Sequence, residues 1–122
     1  MFEVAIRSRF AAAHCLENYG GKCEALHGHN WVVEVGVQGE TLDNVGLLMD
    51  FKVLKKHVHA TLDEVDHTML NEHPAFKEIN PSSEIIARWI FDEISRKIDD
   101  PKLRVSFVKV WESEDSVATY RP

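Results

Sequence analysis

Apolar and polar residues alternate along two runs near the start of the chain, as they do in strands that bury one face. In residues 2–14 the even positions are mostly apolar, and His14 ends that side of the run. In the run from His27 to Val37 the odd positions are apolar beyond His29. The residues between the two runs include an asparagine and a pair of glycines, which is a loop composition. The pattern therefore predicts two strands that pair as a hairpin.

The middle of the chain changes to a helical period. Apolar residues recur at helical spacing from about Phe51 to Leu62, and Asp50 is placed to cap that helix. A second helix, capped by Ser82 or Ser83, carries a strong apolar face and stops at the Asp-Asp-Pro sequence of residues 99–101. Two amphipathic helices are therefore predicted in succession.

The last part of the chain returns to alternation. A third strand is expected around Leu103 to Glu112, with apolar positions that change parity after Phe107, and a short fourth strand from Val117 to Tyr120. The order β-β-α-α-β-β predicts an α+β fold, in which a four-stranded antiparallel sheet carries two helices on one face. No repeat, low-complexity segment or long linker divides the sequence, so residues 1–122 are expected to form a single domain.

Charge and the distribution of apolar residues indicate which partners and which compartment to expect. The 20 acidic residues outnumber the 14 basic ones, and no basic run occurs, so nucleic acid is not an expected partner. No apolar stretch approaches the roughly 20 residues of a membrane helix, so no membrane partner is expected. The N-terminus enters the first strand pattern without a signal-peptide pattern, and we expect a cytoplasmic protein.

Three histidines form the most informative chemical pattern. His27 and His29 are two positions apart at the start of a strand, so their side chains point to the same face, and Gly28 leaves room between them. His14 ends the apolar side of the neighbouring strand. Imidazole nitrogens suit zinc, and three of them leave a fourth position open for chemistry. We therefore predict a Zn²⁺ site at His14, His27 and His29 rather than three polar residues at strand ends.

Cys23, beside Lys22, precedes the histidine pair by four positions. Positive charge lowers the pKa of a thiol, and the thiolate is the reactive form, so a general base or nucleophile is one interpretation. The other is a fourth, structural zinc ligand that closes the site. Spacing alone favours neither interpretation.

Two further positions combine charge with an informative context. His67 follows Asp66 directly, and a carboxylate can orient an imidazole, although adjacent side chains often point apart. Glu112 lies on an otherwise apolar strand face and needs a partner there. That partner is either an arginine or a ligand that offers two N–H donors.

Taken together, these motifs resemble the 6-pyruvoyltetrahydropterin synthase / 6-carboxytetrahydropterin synthase family over nearly the whole chain. The three-residue gap between Cys23 and His27 is similar to that of the bacterial 6-carboxytetrahydropterin synthases of queuosine biosynthesis. The matching segments are Phe10–His14, Lys22–Asn30, Met49–Phe51, Leu62–His67, Leu70–Asn71, Pro81–Glu84 and Val110–Ser113, with Tyr120.

The resemblance implies a fold, an assembly and a role for each candidate residue. The fold is the tunnelling fold (T-fold), and the assembly consists of trimers stacked into a homohexamer with active sites between subunits. Asp66 and His67 can then serve the zinc of a neighbouring subunit. The implied site residues are His14, His27 and His29 as zinc ligands, Cys23 as catalytic base, His67 with Asp66 as proton shuttle, and Glu112 as the anchor of the pterin.

The implied reaction is that of a zinc-dependent carbon–carbon lyase. It converts 7,8-dihydroneopterin triphosphate to 6-carboxytetrahydropterin, acetaldehyde and triphosphate. Lys22 is a candidate contact for the triphosphate, and since the sequence has no glycine-rich phosphate loop, other basic residues must contribute. The alternatives are a pyruvoyl-type synthase that leaves the side chain intact, a zinc-stapled structural module, and a histidine-rich oxygenase, which the two central helices disfavour.

Overall fold

A sheet with two helices forms the fold in the computed structural model, which describes residues 1–17 and 25–122. The sheet order is β3-β1-β2-β4-β5. The predicted positions Lys22 and Cys23 lie outside the described residues. The elements are β1 (Phe2–His14), β2 (His27–Gly39), α1 (Phe51–Asp63), β3 (Thr68–Met69), α2 (Ser83–Lys97), β4 (Arg104–Ser113) and β5 (Ser116–Tyr120), with 3₁₀ turns at Leu70–Glu72 and Pro74–Phe76.

Strand β3 is the difference from the predicted architecture. The α+β class, the two helices and the four longer strands are confirmed, but β3 adds a fifth strand that pairs parallel to β1 at Ala12 and Ala13. The sheet is therefore mixed rather than wholly antiparallel. A two-residue strand has no alternation that a sequence pattern can reveal; it arises because the backbone of His67 bonds to Ala11 at the edge of β1.

The long hairpin of β1 and β2 sets the positions of the histidines. Its register runs without a break from Phe2 opposite Gly39 to His14 opposite His27. His29 pairs with Ala12, two positions further along β2. Since paired residues point to the same face, all three histidine side chains lie on the side that faces the helices.

The core lies between one face of the sheet and the two helices. Both predicted helix caps are present, since the Asp50 carboxylate accepts from the backbone N–H of Lys52 and the Ser82 hydroxyl accepts from that of Ile85. The fully buried core side chains include Trp31, Val33 and Val35 of β2, Leu54 and Val58 of α1, Ile86, Ile90 and Ile94 of α2, and Val108 and Val110 of β4. None of the helices described is both long and apolar enough to cross a bilayer.

A bulge in β4 explains the change of parity seen in the sequence. Gly36 pairs with Phe107 and Val37 with Val105, so Ser106 is skipped in the ladder with β2. Glu112 thereby falls on the helix-covered face, together with the histidines. Phe107 falls on the opposite face and lies over Gly36, where an added Cβ would meet its ring at 2.2 Å.

Candidate metal centre and active site

The three predicted histidines and Glu112 converge at one end of the sheet. One ligand atom from each of these four residues lies within 4.8 Å of every other. His14 is fully buried, whereas the side chains of His27 and Glu112 are 41% and 37% exposed. The cluster is therefore closed by the core on one side and open to solvent on the other, which is an arrangement that admits a further ligand.

Backbone carbonyl groups fix the orientation of two of the rings. The Nδ1 atom of His14 lies 2.8 Å from the carbonyl oxygen of Pro81, and that of His27 lies 2.8 Å from the carbonyl oxygen of Ala25. A carbonyl oxygen only accepts, so Nδ1 carries the proton in both neutral rings. Both Nε2 atoms then present lone pairs, although they face each other at 3.0 Å. A cation between them removes this repulsion.

His29 and the spacing of the ring nitrogens show whether these residues fit a metal ion. The Nε2 atom of His29 is buried and makes no hydrogen bond within the described residues, although Glu112 Oε1 is 3.1 Å away. Zinc–nitrogen bonds of 2.0–2.1 Å in a tetrahedron place their nitrogens about 3.3 Å apart. The 3.0 Å between His14 and His27 is close to that spacing. The donor set therefore fits a divalent metal ion such as zinc.

The protonation of His29 agrees with a ligand role. Burial lowers the pKa of His29, and the neighbouring His27 and His14 lower it further, while Glu112 opposes them. The net direction is downward, so this ring is neutral at physiological pH. A neutral imidazole is the form that binds a metal.

Glu112 is held from two sides. Its Oε1 atom lies against His29, and its Oε2 atom accepts a hydrogen bond of 3.2 Å from the Ser83 hydroxyl. Ser83 is the first residue of α2, directly after the Ser82 cap and the Pro81 carbonyl that orients His14. The start of α2 thus positions both a histidine and the carboxylate.

Two asparagines hold the chain as it leaves β1. The side-chain amide of Asn71 accepts from the backbone N–H of Cys15 and donates to its carbonyl, at 3.0 and 2.8 Å. Asn80 makes the same pair of bonds with Glu17, at 2.8 and 2.9 Å. These clamps fix the exit from His14 toward residues 18–24, which include the predicted Lys22 and Cys23.

Asp66 and His67 interact with each other and with β1. The Asp66 Oδ1 atom accepts from the backbone N–H of Ala11 at 2.8 Å, and its Oδ2 atom lies 3.0 Å from His67 Nδ1. The Ala11 hydrogen bond is the main cause that lowers the pKa of Asp66, and His67 adds to it. His67 has a φ of 58° and a side chain that is 81% exposed. Its contacts in the described residues do not include the metal cluster.

Sequence patterns missed the residues that orient this site. Pro81 acts through its carbonyl, and Asn71 and Asn80 act through amides that clamp a distant strand. The sequence predicts Ser82 or Ser83 as a helix cap, whereas the structure has Ser82 as the cap and Ser83 as a partner of Glu112. The sequence Asn80-Pro81-Ser82-Ser83 directly before α2 concentrates polar and turn-forming residues. It is a signal that could have pointed to Asn80, Pro81 and Ser83, whereas Asn71 has no such signal.

The fold and the cluster together define a T-fold protein with a candidate metal centre. A family model described as 6-pyruvoyl tetrahydropterin synthase matches residues 3–122. The chain therefore belongs to the 6-pyruvoyl tetrahydropterin synthase family, which confirms the predicted membership and the prediction of an enzyme.

Relatives with different names share this similarity. The chain is 34% identical to the 6-carboxy-5,6,7,8-tetrahydropterin synthase of Bacillus subtilis, in a match that covers 99% of this chain and 86% of the relative. It is 36% identical to the dihydroneopterin monophosphate aldolase of Pyrococcus furiosus, over 92% of this chain and 90% of the relative. The structure of the Caenorhabditis elegans 6-pyruvoyl tetrahydropterin synthase is similar with a TM-score of 0.87 and 29% identity, over 99% and 95% of the two chains.

Proposed function

We propose that this protein is a zinc-dependent 6-carboxy-5,6,7,8-tetrahydropterin synthase of queuosine and 7-deazapurine biosynthesis. The observation that supports this proposal best is the convergence of three imidazoles, with the Nε2 lone pairs of His14 and His27 facing each other, beside the oriented carboxylate of Glu112. The similarity to the Bacillus subtilis synthase supports the choice of reaction. The substrate is 7,8-dihydroneopterin triphosphate, and the products are 6-carboxytetrahydropterin, acetaldehyde and triphosphate.

His14, His27 and His29 would hold the zinc ion. When bound, zinc supplies Lewis acidity that stabilises negative charge on substrate oxygens. Glu112 binds the pterin, because its two oxygens accept from the two parallel N–H donors of the aminopyrimidinone edge. Ser83 keeps the carboxylate in one orientation through its hydrogen bond to Oε2.

Proton transfer is assigned to residues that flank this centre. Cys23, as a thiolate, removes a proton from the substrate side chain, and Lys22 contributes to binding of the phosphates. His67 donates and accepts protons as the carbon–carbon bond breaks and triphosphate leaves. Asp66 accepts from His67 Nδ1, which leaves Nε2 for this exchange. Replacing Cys23 with alanine is expected to stop turnover while zinc stays bound; near-normal turnover would exclude the thiol as base.

We further propose that the protein is a homo-oligomer, a trimer or a hexamer, with active sites between subunits. In this arrangement Asp66 and His67 serve the centre of a neighbour, which agrees with their contacts in one chain. Five exposed apolar side chains between residues 42 and 53 support a subunit interface, since large exposed apolar patches mark contact surfaces. They are Leu42, Val45, Leu47, Phe51 and Val53.

The decisive experiment is incubation of the zinc-loaded protein with 7,8-dihydroneopterin triphosphate, with acetaldehyde assayed and the pterin product identified by mass. Acetaldehyde in a one-to-one ratio with 6-carboxytetrahydropterin is the expected result. A pyruvoyl product without acetaldehyde would instead establish the pyruvoyl-type reaction, and turnover of the monophosphate alone would overturn the choice of substrate. Glu112→Gln should lose activity, whereas Glu114→Gln, on an exposed turn two residues away, should keep it.

A further inference from the structure

A cleft of about 350 Å³ lies at the edge of the sheet, on the face that the helices leave uncovered. Its floor consists of small residues on β1 and β2, where Ala13 pairs with Gly28 and Ala11 pairs with Asn30. His67 and Thr68 form its rim. His29 borders the cleft through its backbone, because its ring lies on the helix-covered face, so within one chain the cleft adjoins the proposed proton shuttle His67 and not the metal centre.

Gly28 keeps this cleft open, although its backbone conformation does not require a glycine. It lies within the regular ladder of β2 and has no positive φ. A Cβ added there would meet nothing closer than the carbonyl oxygen of Ala12, at 4.0 Å. Packing would therefore tolerate a side chain, and the glycine leaves space that a bound molecule can fill.

The polar groups at the cleft are mainly hydrogen-bond donors. Asp66 accepts from Nδ1 of His67, so Nε2 of this ring acts as a donor to a ligand in its protonated form. The Asn30 amide is exposed and makes no hydrogen bond to the described residues. No lining residue is a carboxylate, and both oxygens of the adjacent Asp66 carboxylate are engaged, one by the Ala11 N–H and the other by His67.

Arg9 adds a full positive charge beside the cleft. It is the next residue after Ala11 on the same face of β1, about 7 Å along the strand, which is within the reach of an arginine side chain. Arg9 is exposed and forms no ion pair within the described residues. Arg7, by contrast, is already engaged, at 3.3 Å from Glu34 and over the ring of Trp111.

We propose that this cleft is a phosphate subsite, in which Arg9, Asn30 and His67 bind the triphosphate of the substrate. The inference rests on the proposed function for the identity of the phosphorylated molecule and for the shared site, in which a substrate bound at the centre of a neighbouring subunit extends its triphosphate to this cleft. A guanidinium, an amide and a protonated imidazole give a phosphate several donors of fixed direction, and Arg9 supplies charge to an otherwise acidic protein. A phosphate held at His67 Nε2 also places the leaving group beside the residue that protonates it.

The test measures binding of inorganic triphosphate to the zinc-loaded protein by calorimetry, without turnover. Arg9→Gln and Asn30→Ala are each expected to weaken binding about tenfold, since each removes a hydrogen bond to a charged group. The matched control is Arg104→Gln. Arg104 is exposed on the same sheet face and pairs with Gln38, which is about 20 Å along β2 from the partner of Arg9.

The outcomes separate this subsite from the proposed function. Weaker triphosphate binding and a raised KM in Arg9→Gln, with kcat and zinc content unchanged, support the subsite. Triphosphate binding equal to wild type in the double variant Arg9→Gln/Asn30→Ala overturns it, even where wild-type protein releases acetaldehyde. Binding that depends on Arg9 in a protein that releases no acetaldehyde supports the phosphate subsite and overturns the reaction.

Discussion

Each ring of the histidine cluster depends on neighbours that the hairpin and α2 supply. The Pro81 and Ala25 carbonyls hold the rings of His14 and His27 in one tautomer, with Nε2 free to bind a cation. His29 is kept neutral by burial, which lowers its pKa, and its buried Nε2 atom makes no hydrogen bond within the described residues. At the scale of residues, neighbouring groups fix the Nε2 lone pairs of His14 and His27 and keep His29 neutral without a metal.

Replacing His29 with alanine should weaken zinc binding by more than about 100-fold, because it removes a ligand from a three-histidine set. His59→Ala is the control, since His59 is exposed on α1 and remote from the cluster in sequence. The measurement is competition with a fluorescent zinc chelator. Equal loss in the two variants, or none in either, would contradict the assignment of His29 as a ligand.

The carboxylate of Asp66 should make stability depend on pH at the acid end. Its folded-state pKa is lowered from 3.8 by the Ala11 hydrogen bond, so its contribution is present above that value and is lost as pH falls through the folded pKa. Asp66→Asn keeps an acceptor for Ala11 but does not titrate. Urea unfolding should show wild type more stable than the variant at pH 6, with the difference shrinking below pH 4. A difference that stays constant down to pH 2 would exclude this origin.

At the scale of elements, the start of α2 has two separate tasks in adjacent residues. Ser82 caps the helix through the backbone N–H of Ile85, and Ser83 bonds to the Glu112 carboxylate. The first interaction stabilises the helix, and the second orients a site residue. Because the two serines are neighbours of the same type, they form a natural pair for comparison.

Ser82→Ala should lower the free energy of unfolding by about 1 kcal/mol, which is typical for loss of an N-cap, and should leave KM unchanged. Ser83→Ala should raise KM for the pterin substrate severalfold with little change in stability, because Glu112 loses its fixed orientation. Thermal unfolding and steady-state kinetics measure the two effects. Reversed effects, with Ser82 controlling KM, would show that the assignments are wrong.

At the scale of the whole molecule, the sheet is left with exposed strand edges. Strand β3 covers β1 only at Ala12 and Ala13, so the remainder of that edge has no strand partner in the described residues. Unpaired edges favour association with another chain. This agrees with the proposed oligomer, in which a neighbour brings its Asp66 and His67 to the site.

Shared sites predict complementation between two inactive variants. His14→Ala removes a proposed metal ligand and His67→Ala removes the proposed proton shuttle, so each variant alone should be inactive. Co-expressed in equal amounts, they should regain about a quarter of wild-type activity, because random mixing unites an intact half-site of each kind at that frequency. An inactive mixture that forms mixed oligomers would place both residues of each site on one chain.

Local patterns in the sequence were sufficient for the main elements and for the convergence of the three histidines. Alternation and helical spacing predicted β1, β2 and both helices, because burial of one face imposes a period on each element. The spacing of His27 and His29 predicted their common direction, because strand geometry fixes it within three residues. Their roles in catalysis stay predictions.

Only the tertiary structure decided what lies beside those histidines. The bulge at Ser106, the two-residue strand β3 and the cleft over Gly28 depend on which segments meet. The partners Pro81 and Ser83 are 67 and 29 residues away from His14 and Glu112. No periodicity spans such distances, because these contacts are made through backbone carbonyls and single hydroxyls whose positions are set by packing of the whole core.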